Sequence, residues 1–323
     1  MNISRRNLAA LAAGALCGPV WSQGAYPTRA VKMINPFPPG SPVDLVGRLV
    51  AQKLQETWGQ PVVVESRAGA GGAVGAEAVA RAPADGYTLL VTSASTHVIA
   101  PALRKQLPYD AQKDFAPLAL AAYGPTAVVV HPSVPVQSLS QLVAYAKANP
   151  GKVAYASSGL GTILHLSGEL FAYRTGVELL HVPYKGAVPA ATDLLSGQVQ
   201  LMFDSISNAA PQVKAGKLRA LAVLTPQRTP LMPDVPTGQE AGFDGLDFPA
   251  WIGFYAPAGT PREVVMQINR ALQSVMGQAE IRDRFMQGGL IPAMVVDSDF
   301  GRLVGEQQKI VADLVRAARI PQQ

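Results

Sequence analysis

The sequence predicts two α/β domains, the first assembled from both ends of the chain. Short apolar segments alternate with helical periodicity from about residue 30 to 105, which argues for a parallel sheet with helices on both faces. The alternation resumes over about 153–224 and predicts a second sheet. After residue 250 come one strand and three helices, too little to make a third sheet, so the chain is expected to return to the first domain near residue 249. The expected division is 25–124 with 250–323 as the first domain and 125–249 as the second, joined by two crossings that act as a hinge.

The elements follow in order. Ala30–Ile34 reads as a strand, and a helix is expected over Pro42–Trp58. Ser41 suits its N-cap, Pro42 is tolerated in its first turn, and Gly59 stops it. Val62–Glu65 is the second strand, leading through Arg67–Gly72 into a helix over about Ala73–Arg81. Asp85-Gly86 turns the chain into a third strand, Tyr87–Thr92, followed by a short helix to Arg104. Leu118–His131, interrupted by Gly124-Pro125, reads as the strand that crosses into the second domain. There, strands are expected at Val153–Ala156, Glu178–Val182, Val199–Phe203 and Leu218–Leu224. Helices are expected after Ser138, whose spacing to Gln141 makes a capping box, and at Thr162–Thr175 and Val188–Leu195. The return segment reads as a strand, Trp251–Ala256, then helices at Arg262–Met276, Glu280–Gln287 and Ser298–Ala318.

Composition bounds the function. With 48% hydrophobic and 15% charged residues, the chain can build a sizeable core. Arg5-Arg6, the apolar run Leu8–Leu16 and the small residues near Ser22–Ala25 read as a secretory leader of residues 1–24, cleaved after Ser22 or Gly24, which predicts a periplasmic protein. Ser4-Arg5-Arg6-Asn7-Leu8 resembles a twin-arginine signal, while Leu16 before Cys17 argues against a lipobox. Cys17 is the only cysteine, so the mature chain has neither disulfide nor thiolate chemistry. Removing the leader lowers the net charge from +5 to about +3. That mild basicity, without a Lys/Arg run, argues against nucleic acid. No later apolar run is long enough to span a membrane.

Ligands of parallel α/β sheets sit outside the carboxyl ends of the strands. That rule selects Asn35–Ser41 with Asp44, Arg67–Gly72 and Ser93–Thr96 with His97 in the first domain. In the second it selects Ser157–Thr162 with His165, Tyr184-Lys185 and Asp204. Backbone N–H groups and helix starts at such turns favour an anion. The hydroxyls of Ser41, Ser93, Thr96, Ser157, Ser158 and Thr162, with Gly40 and Gly161 allowing close approach, could hold carboxylate oxygens, and Phe37 could pack on the ligand's carbons. Asp44 could equally be a helix-start charge, and Tyr184-Lys185 a solvated loop. Asp204 is read as pointing to the cleft, or as tied to the helix after it. Arg67 is the only arginine in these loops, so neutral donors would carry recognition.

Other chemistries fit less well. Gly69–Gly75 misses the dinucleotide spacing by one residue, so no nucleotide cofactor is expected. His97, His131, His165 and His181 lack metal-ligand spacing, so no metal is expected either. The enzyme alternative is a secreted serine hydrolase using Ser157, His165 and Asp204, although no G-x-S-x-G surrounds the serine.

The chain resembles the Bug family, the TctC-like substrate-binding proteins of tripartite tricarboxylate transporters. The resemblance rests on Pro36–Gly40 with Asp44, Gly69–Gly72 with Gly75, Asp85–Leu89, and Ser157-Ser158-Gly159 with Gly161-Thr162 and His165. It continues through His181–Gly186, Phe203-Asp204, Pro233–Thr237 and Ala256–Pro261. Ser41, Ser66 and Leu160 depart from the family pattern. The resemblance implies a type II periplasmic-binding-protein fold in which a small carboxylate lies between two lobes. It further implies a monomer that delivers its ligand to the transporter's membrane subunits, with no enzymatic activity.

Overall fold

The computed structural model describes residues 26–225, 227–246, 250–317, 320 and 322. The leader of residues 1–24, with Cys17, lies outside them. The chain forms two sheets, and the first draws strands from both ends of the sequence. Its order is β11-β4-β10-β3-β1-β2, where β1 is Val31–Asn35, β2 Val62–Ser66, β3 Thr88–Ser93, β4 Phe115–Tyr123, β10 Trp251–Pro257 and β11 Ile291–Val296. The second sheet, ordered β7-β6-β8-β5-β9, uses β5 Thr126–Val130, β6 Val153–Ser157, β7 Leu179–Pro183, β8 Leu201–Ser205 and β9 Arg219–Leu224.

The expected parallel sheet of the first domain is mixed, and so is the second sheet. β1 runs parallel to β2 and β3, and β6 parallel to β7 and β8. The strand that enters each sheet after a crossing runs the other way: β10 is antiparallel to β3 and β4, and β5 to β8 and β9. The expected crossing strand over Leu118–His131 is two strands in different sheets, broken at Gly124-Pro125. β11 is an edge strand that the sequence reading does not contain. Pro292 cannot donate to a ladder, and the pairing with β4 slips between Pro292 and Val295, as edge strands tolerate.

Ten helices complete the described chain: α1 Pro42–Trp58, α2 Ala73–Ala80, α3 Ala100–Leu103, α4 Leu139–Ala148, α5 Ile163–Thr175, α6 Ala187–Leu195, α7 Ile206–Lys214, α8 Arg262–Met276, α9 Ala279–Gln287 and α10 Asp297–Ala317. α1 begins and ends where its caps predict. Ser41 Oγ accepts the Asp44 N–H at 3.2 Å, and Gly59 takes a left-handed φ of 63°. Each sheet is buried on both faces because its strands alternate at period two. Met33, Leu89 and Val91 enter one apolar cluster, with α1 and α8, while Ile34 and Leu90 enter another on the opposite face. In the second sheet Val128 and Phe203 face one cluster, and Ala127 and Met202 the other. Leu166 and Leu170 of α5 are buried in the same cluster as Ile99, Leu103 and Trp251, so this helix of the second sheet also packs on the first. No described helix is long and apolar enough to cross a membrane.

Candidate functional site

The loops at the carboxyl ends of β1, β2 and β3 meet one another. Asn35, fully buried at the end of β1, accepts the Phe37 N–H at 3.0 Å and donates to Asp44 Oδ1 at 3.1 Å. Asp44 Oδ2 accepts the Gly40 N–H at 3.0 Å and Arg48 Nε at 2.9 Å. Burial pushes this carboxyl up, but the hydrogen bonds from Arg48, Gly40 and Asn35 and the nearby guanidinium outweigh it and hold it below the ordinary range. Both oxygens are therefore committed within the loop, and Asp44 braces the turn. Ser41 Oγ is likewise the helix cap. Phe37 stays half-buried and Gly40 exposed. A Cβ at Gly72 would lie 3.1 Å from Phe37 Cζ, so the first two loops are in contact, and the φ of +97° suits only glycine.

The third loop turns inward. Its five residues Ser95–Ile99 form a single wide turn before α3. That turn directs Thr96 Oγ1 to Thr92 Oγ1 at 2.7 Å and to His97 Nδ1 at 2.8 Å. Thr96 and His97 have no exposed surface, and Ser93 almost none. The His97 ring stacks on Tyr255 at 4.0 Å, and burial lowers its pKa to about 3. The expectation that Thr96 and His97 touch a ligand is corrected: they are core groups, because the wide turn rotates them under the loop.

At the carboxyl end of β6, Ser157 Oγ lies 2.7 Å from His181 Nε2 and accepts the Gly159 N–H at 3.2 Å. Ser157 has no exposed surface, so its hydroxyl holds the turn from beneath instead of presenting itself to solvent. Thr162 caps α5 by accepting the His165 N–H, and its own hydroxyl donates to Gly159 O at 2.8 Å. His165 Nδ1 accepts the Gly161 N–H at 3.2 Å. The His165 and His181 rings stack at 4.2 Å, and Tyr155 stacks on the far side of His181 at 4.7 Å. Burial lowers His181 to about 4, and burial with the neighbouring His181 lowers His165 to about 3. Ser158, half-buried, and Leu160, exposed, are what this loop offers outward.

Tyr184 is tied at both ends: its N–H donates to Ser157 O at 3.0 Å and its hydroxyl to Asp193 Oδ2 at 2.6 Å. Burial and Asp193 push that hydroxyl up to about 12. Lys185 is exposed. Asp204 lies within β8, with 1% exposure. Its Oδ1 accepts the Ser205 N–H at 2.7 Å and Asn208 Nδ2 at 3.4 Å. Burial dominates and raises it to about 7 despite those donors.

The two sets of loops face each other. A Cβ at Gly71 would lie 3.8 Å from Leu160 O, and 3.5 Å from a guanidinium nitrogen of Arg104. Arg104 escapes a loop-by-loop reading of the sequence because it arrives from the far end of α3. Glu169 escapes it too: it sits mid-helix in α5, yet its Oε1 accepts the Tyr155 hydroxyl at 2.5 Å. The serine-hydrolase constellation is not assembled. Ser157 pairs with His181, His165 with Gly161, and Asp204 with Ser205 and Asn208.

This overall fold is shared with solved proteins. The family model described as "Tripartite tricarboxylate transporter family receptor", TctC, matches residues 46–320. The chain belongs to the TctC family. Protein BugT of Bordetella pertussis is 36% identical to this TctC receptor, over 95% of this chain and 94% of its own. Rpa4515 of Rhodopseudomonas palustris, solved with adipate, superposes with a TM-score of 0.86 at 35% identity, over 92% of this chain and 99% of that one. MatC of the same organism, solved with bound malate, gives 0.82 at 35% identity, over 90% and 100%. The fold is therefore that of periplasmic binding proteins, and the solved neighbours of this TctC receptor include a TctC solute-binding protein.

Proposed function

We propose that this TctC receptor captures a small carboxylate between two lobes and hands it to the membrane subunits of a tripartite tricarboxylate-type transporter. The observation that carries the reading is the approach of the Gly69–Gly72 loop to Leu160, which sets the carboxyl-end loops of one sheet against those of the other. The lobes are residues 25–124 with 250–323, and 125–249. The two crossings near 124 and 250 are the hinge. Backbone N–H groups of Ser158 and Leu160 bind the carboxylate, directly or through water. Phe37 lies against the carbon skeleton, and Arg104 stands as a cation at the mouth. Adipate and malate, the molecules bound by Rpa4515 and MatC, name the ligand class. The receptor acts as a monomer in the periplasm after loss of residues 1–24.

A thermal-shift and calorimetry panel of di- and tricarboxylates, amino acids and aromatic acids tests this. At least one carboxylate should raise the melting temperature by mass action and shrink the radius of gyration in solution scattering. It should be recovered unchanged. Turnover of the bound acid, or no carboxylate binding across the panel, overturns the reading.

A further inference from the structure

Two stacked imidazoles lie against the Ser157–Thr162 turn, one from α5 and one from β7. Each makes one hydrogen bond to that turn: His165 Nδ1 to the Gly161 N–H, and His181 Nε2 to Ser157 Oγ. We propose that His165 and His181 are positioning residues that together hold the Ser157–Thr162 turn in its ligand-binding shape. This rests on the carboxylate-binding reading above and adds the part of the site that keeps it in place.

The backbone donor at Gly161 fixes which nitrogen of His165 carries the proton. A nitrogen that accepts an N–H must be bare, so the neutral His165 ring carries its hydrogen on Nε2. That nitrogen faces Glu169 Oε1 at 3.7 Å, and the same oxygen accepts the Tyr155 hydroxyl. Ser157 Oγ lies closer to His181 Nε2, at 2.7 Å, than to Gly159 O, at 3.3 Å. We assign its hydroxyl hydrogen to the imidazole, the shorter contact, which places the hydrogen of His181 on Nδ1. The lone pairs left on Oγ receive the Gly159 N–H. Two opposite tautomers thus anchor the two glycine amides of one loop. Glu169 on α5 and Tyr155 on β6 are the titratable side chains in contact with the pair, and burial keeps both rings neutral. A protonated His165 has no bare Nδ1 and would release Gly161.

Neutral rings and a fixed loop are separable from ligand capture, so the test has two arms. In long-range proton–nitrogen spectra of the purified protein without ligand, His165 should appear as the Nε2–H tautomer and His181 as the Nδ1–H tautomer. Amide exchange should speed up by about tenfold or more at Gly159 in His181→Phe and at Gly161 in His165→Leu, with other core amides unchanged. His181→Gln puts a polar atom back near the Nε2 position and His165→Asn an acceptor near Nδ1, and each should restore slow exchange. A proton on His165 Nδ1, or unchanged exchange in the Phe and Leu variants, overturns the proposal. Should either of those fail to fold, the wild-type tautomers and the Gln and Asn variants decide.

The second arm titrates adipate and malate by calorimetry. Affinity for whichever binds the wild type should fall by about tenfold in His181→Phe and recover in His181→Gln. Unchanged affinity with a loosened loop overturns the positioning role while leaving the receptor reading intact. Binding of neither acid, nor of any other carboxylate of the panel, would sink the receptor reading, and the ligand-free spectra would still decide the tautomers and the brace.

Discussion

Gly289 packs against Ser207 across the two sheets: a Cβ at residue 289 would lie 2.7 Å from the Ser207 backbone nitrogen and 2.9 Å from its Cα. Gly289 joins α9 to β11, whereas Ser207 opens α7 of the other sheet. With the Gly71–Leu160 approach and the packing of α5 on the first sheet, this makes a third place where the lobes touch. Gly289→Ala should therefore oppose closure. Its φ of +74° adds a local cost, so a control is needed, and Gly59 supplies it with a φ of +63° and open space around it. Both variants should lose about 1–2 kcal/mol of stability from left-handed backbone. Only Gly289→Ala should also weaken carboxylate binding, by about tenfold if closure becomes about 1.4 kcal/mol harder, and enlarge the liganded radius of gyration. Equal affinities in the two variants would show that the contact does not gate closure.

Asp44 offers a stability prediction at the site itself. Asp44→Ala leaves the fully buried Asn35 amide and the Gly40 N–H without their acceptor. The cost expected from a chemical-denaturation midpoint is about 2–3 kcal/mol, mostly the buried Asn35 donor. The exposed Arg48 end of the pair adds little. A loss below about 0.5 kcal/mol, the level of an ordinary surface change, would mean that the loop does not need this brace.

Much of this loop was legible from residue types alone. Ser41, Pro42 and Gly59 placed α1 because capping is local chemistry, read within four residues. The strand-end rule found the facing loops for the same reason. What it could not read was which hydroxyls face out. Ser157 is hidden by His181, which arrives 24 residues later on another strand. Thr96 and His97 are turned under by a wide helical turn that propensity does not announce. Glu169 carries no motif, and Arg104 belongs to no strand-end loop. β11 was missed because Pro292 and a slipped register erase the alternation that marks a strand. The antiparallel sense of β10 depends on which way the returning chain enters, and local sequence does not encode that.

Acid should unfold this receptor more steeply than its carboxylates alone would. His97 and His165 are lowered to about 3 and His181 to about 4, all by burial first, from an ordinary value of 6.5. Below pH 6.5 the unfolded chain takes up protons that the folded one refuses, so stability falls as pH drops. Each histidine contributes about 1.4 kcal/mol per pH unit between about 6.5 and 4.5. Asp204 works in the opposite sense there. Its folded value of about 7 exceeds the ordinary 3.8, so the folded state keeps a proton that the unfolded state releases, which offsets one histidine. The net slope is on the order of 1–3 kcal/mol per pH unit. Urea midpoints at several pH values in this window should show it, and His97→Phe, which keeps a ring against Tyr255, should make it shallower. A flat profile would mean that the imidazoles are protonated in the folded protein.

Asp204 brings the fold and the ligand together. Continuing the β6–β8 register, in which Ala156 pairs with Met202, sets Asp204 opposite Ser158 at the mouth of the second lobe. A full negative charge there would repel a carboxylate, yet burial raises this group to about 7, so a proton is at hand near neutrality. A bound anion favours the protonated form further, because a nearby like charge disfavours ionisation. Capture should therefore take up a proton at Asp204, and affinity for adipate or malate should weaken as pH rises from 6 to 8. Asp204→Asn keeps a neutral group with an acceptor for the Ser205 N–H, so it should bind comparably at pH 6 and lose the pH dependence. Calorimetry in buffers of different ionisation enthalpy reads the proton directly. If the slope survives in the variant, the titrating group lies elsewhere. A loss of about 2–4 kcal/mol in affinity with apo stability intact would instead mean an ionised Asp204 gripping a ligand ammonium or hydroxyl. A lower apo melting temperature with unchanged affinity and slope would reduce Asp204 to a brace for the turn into α7.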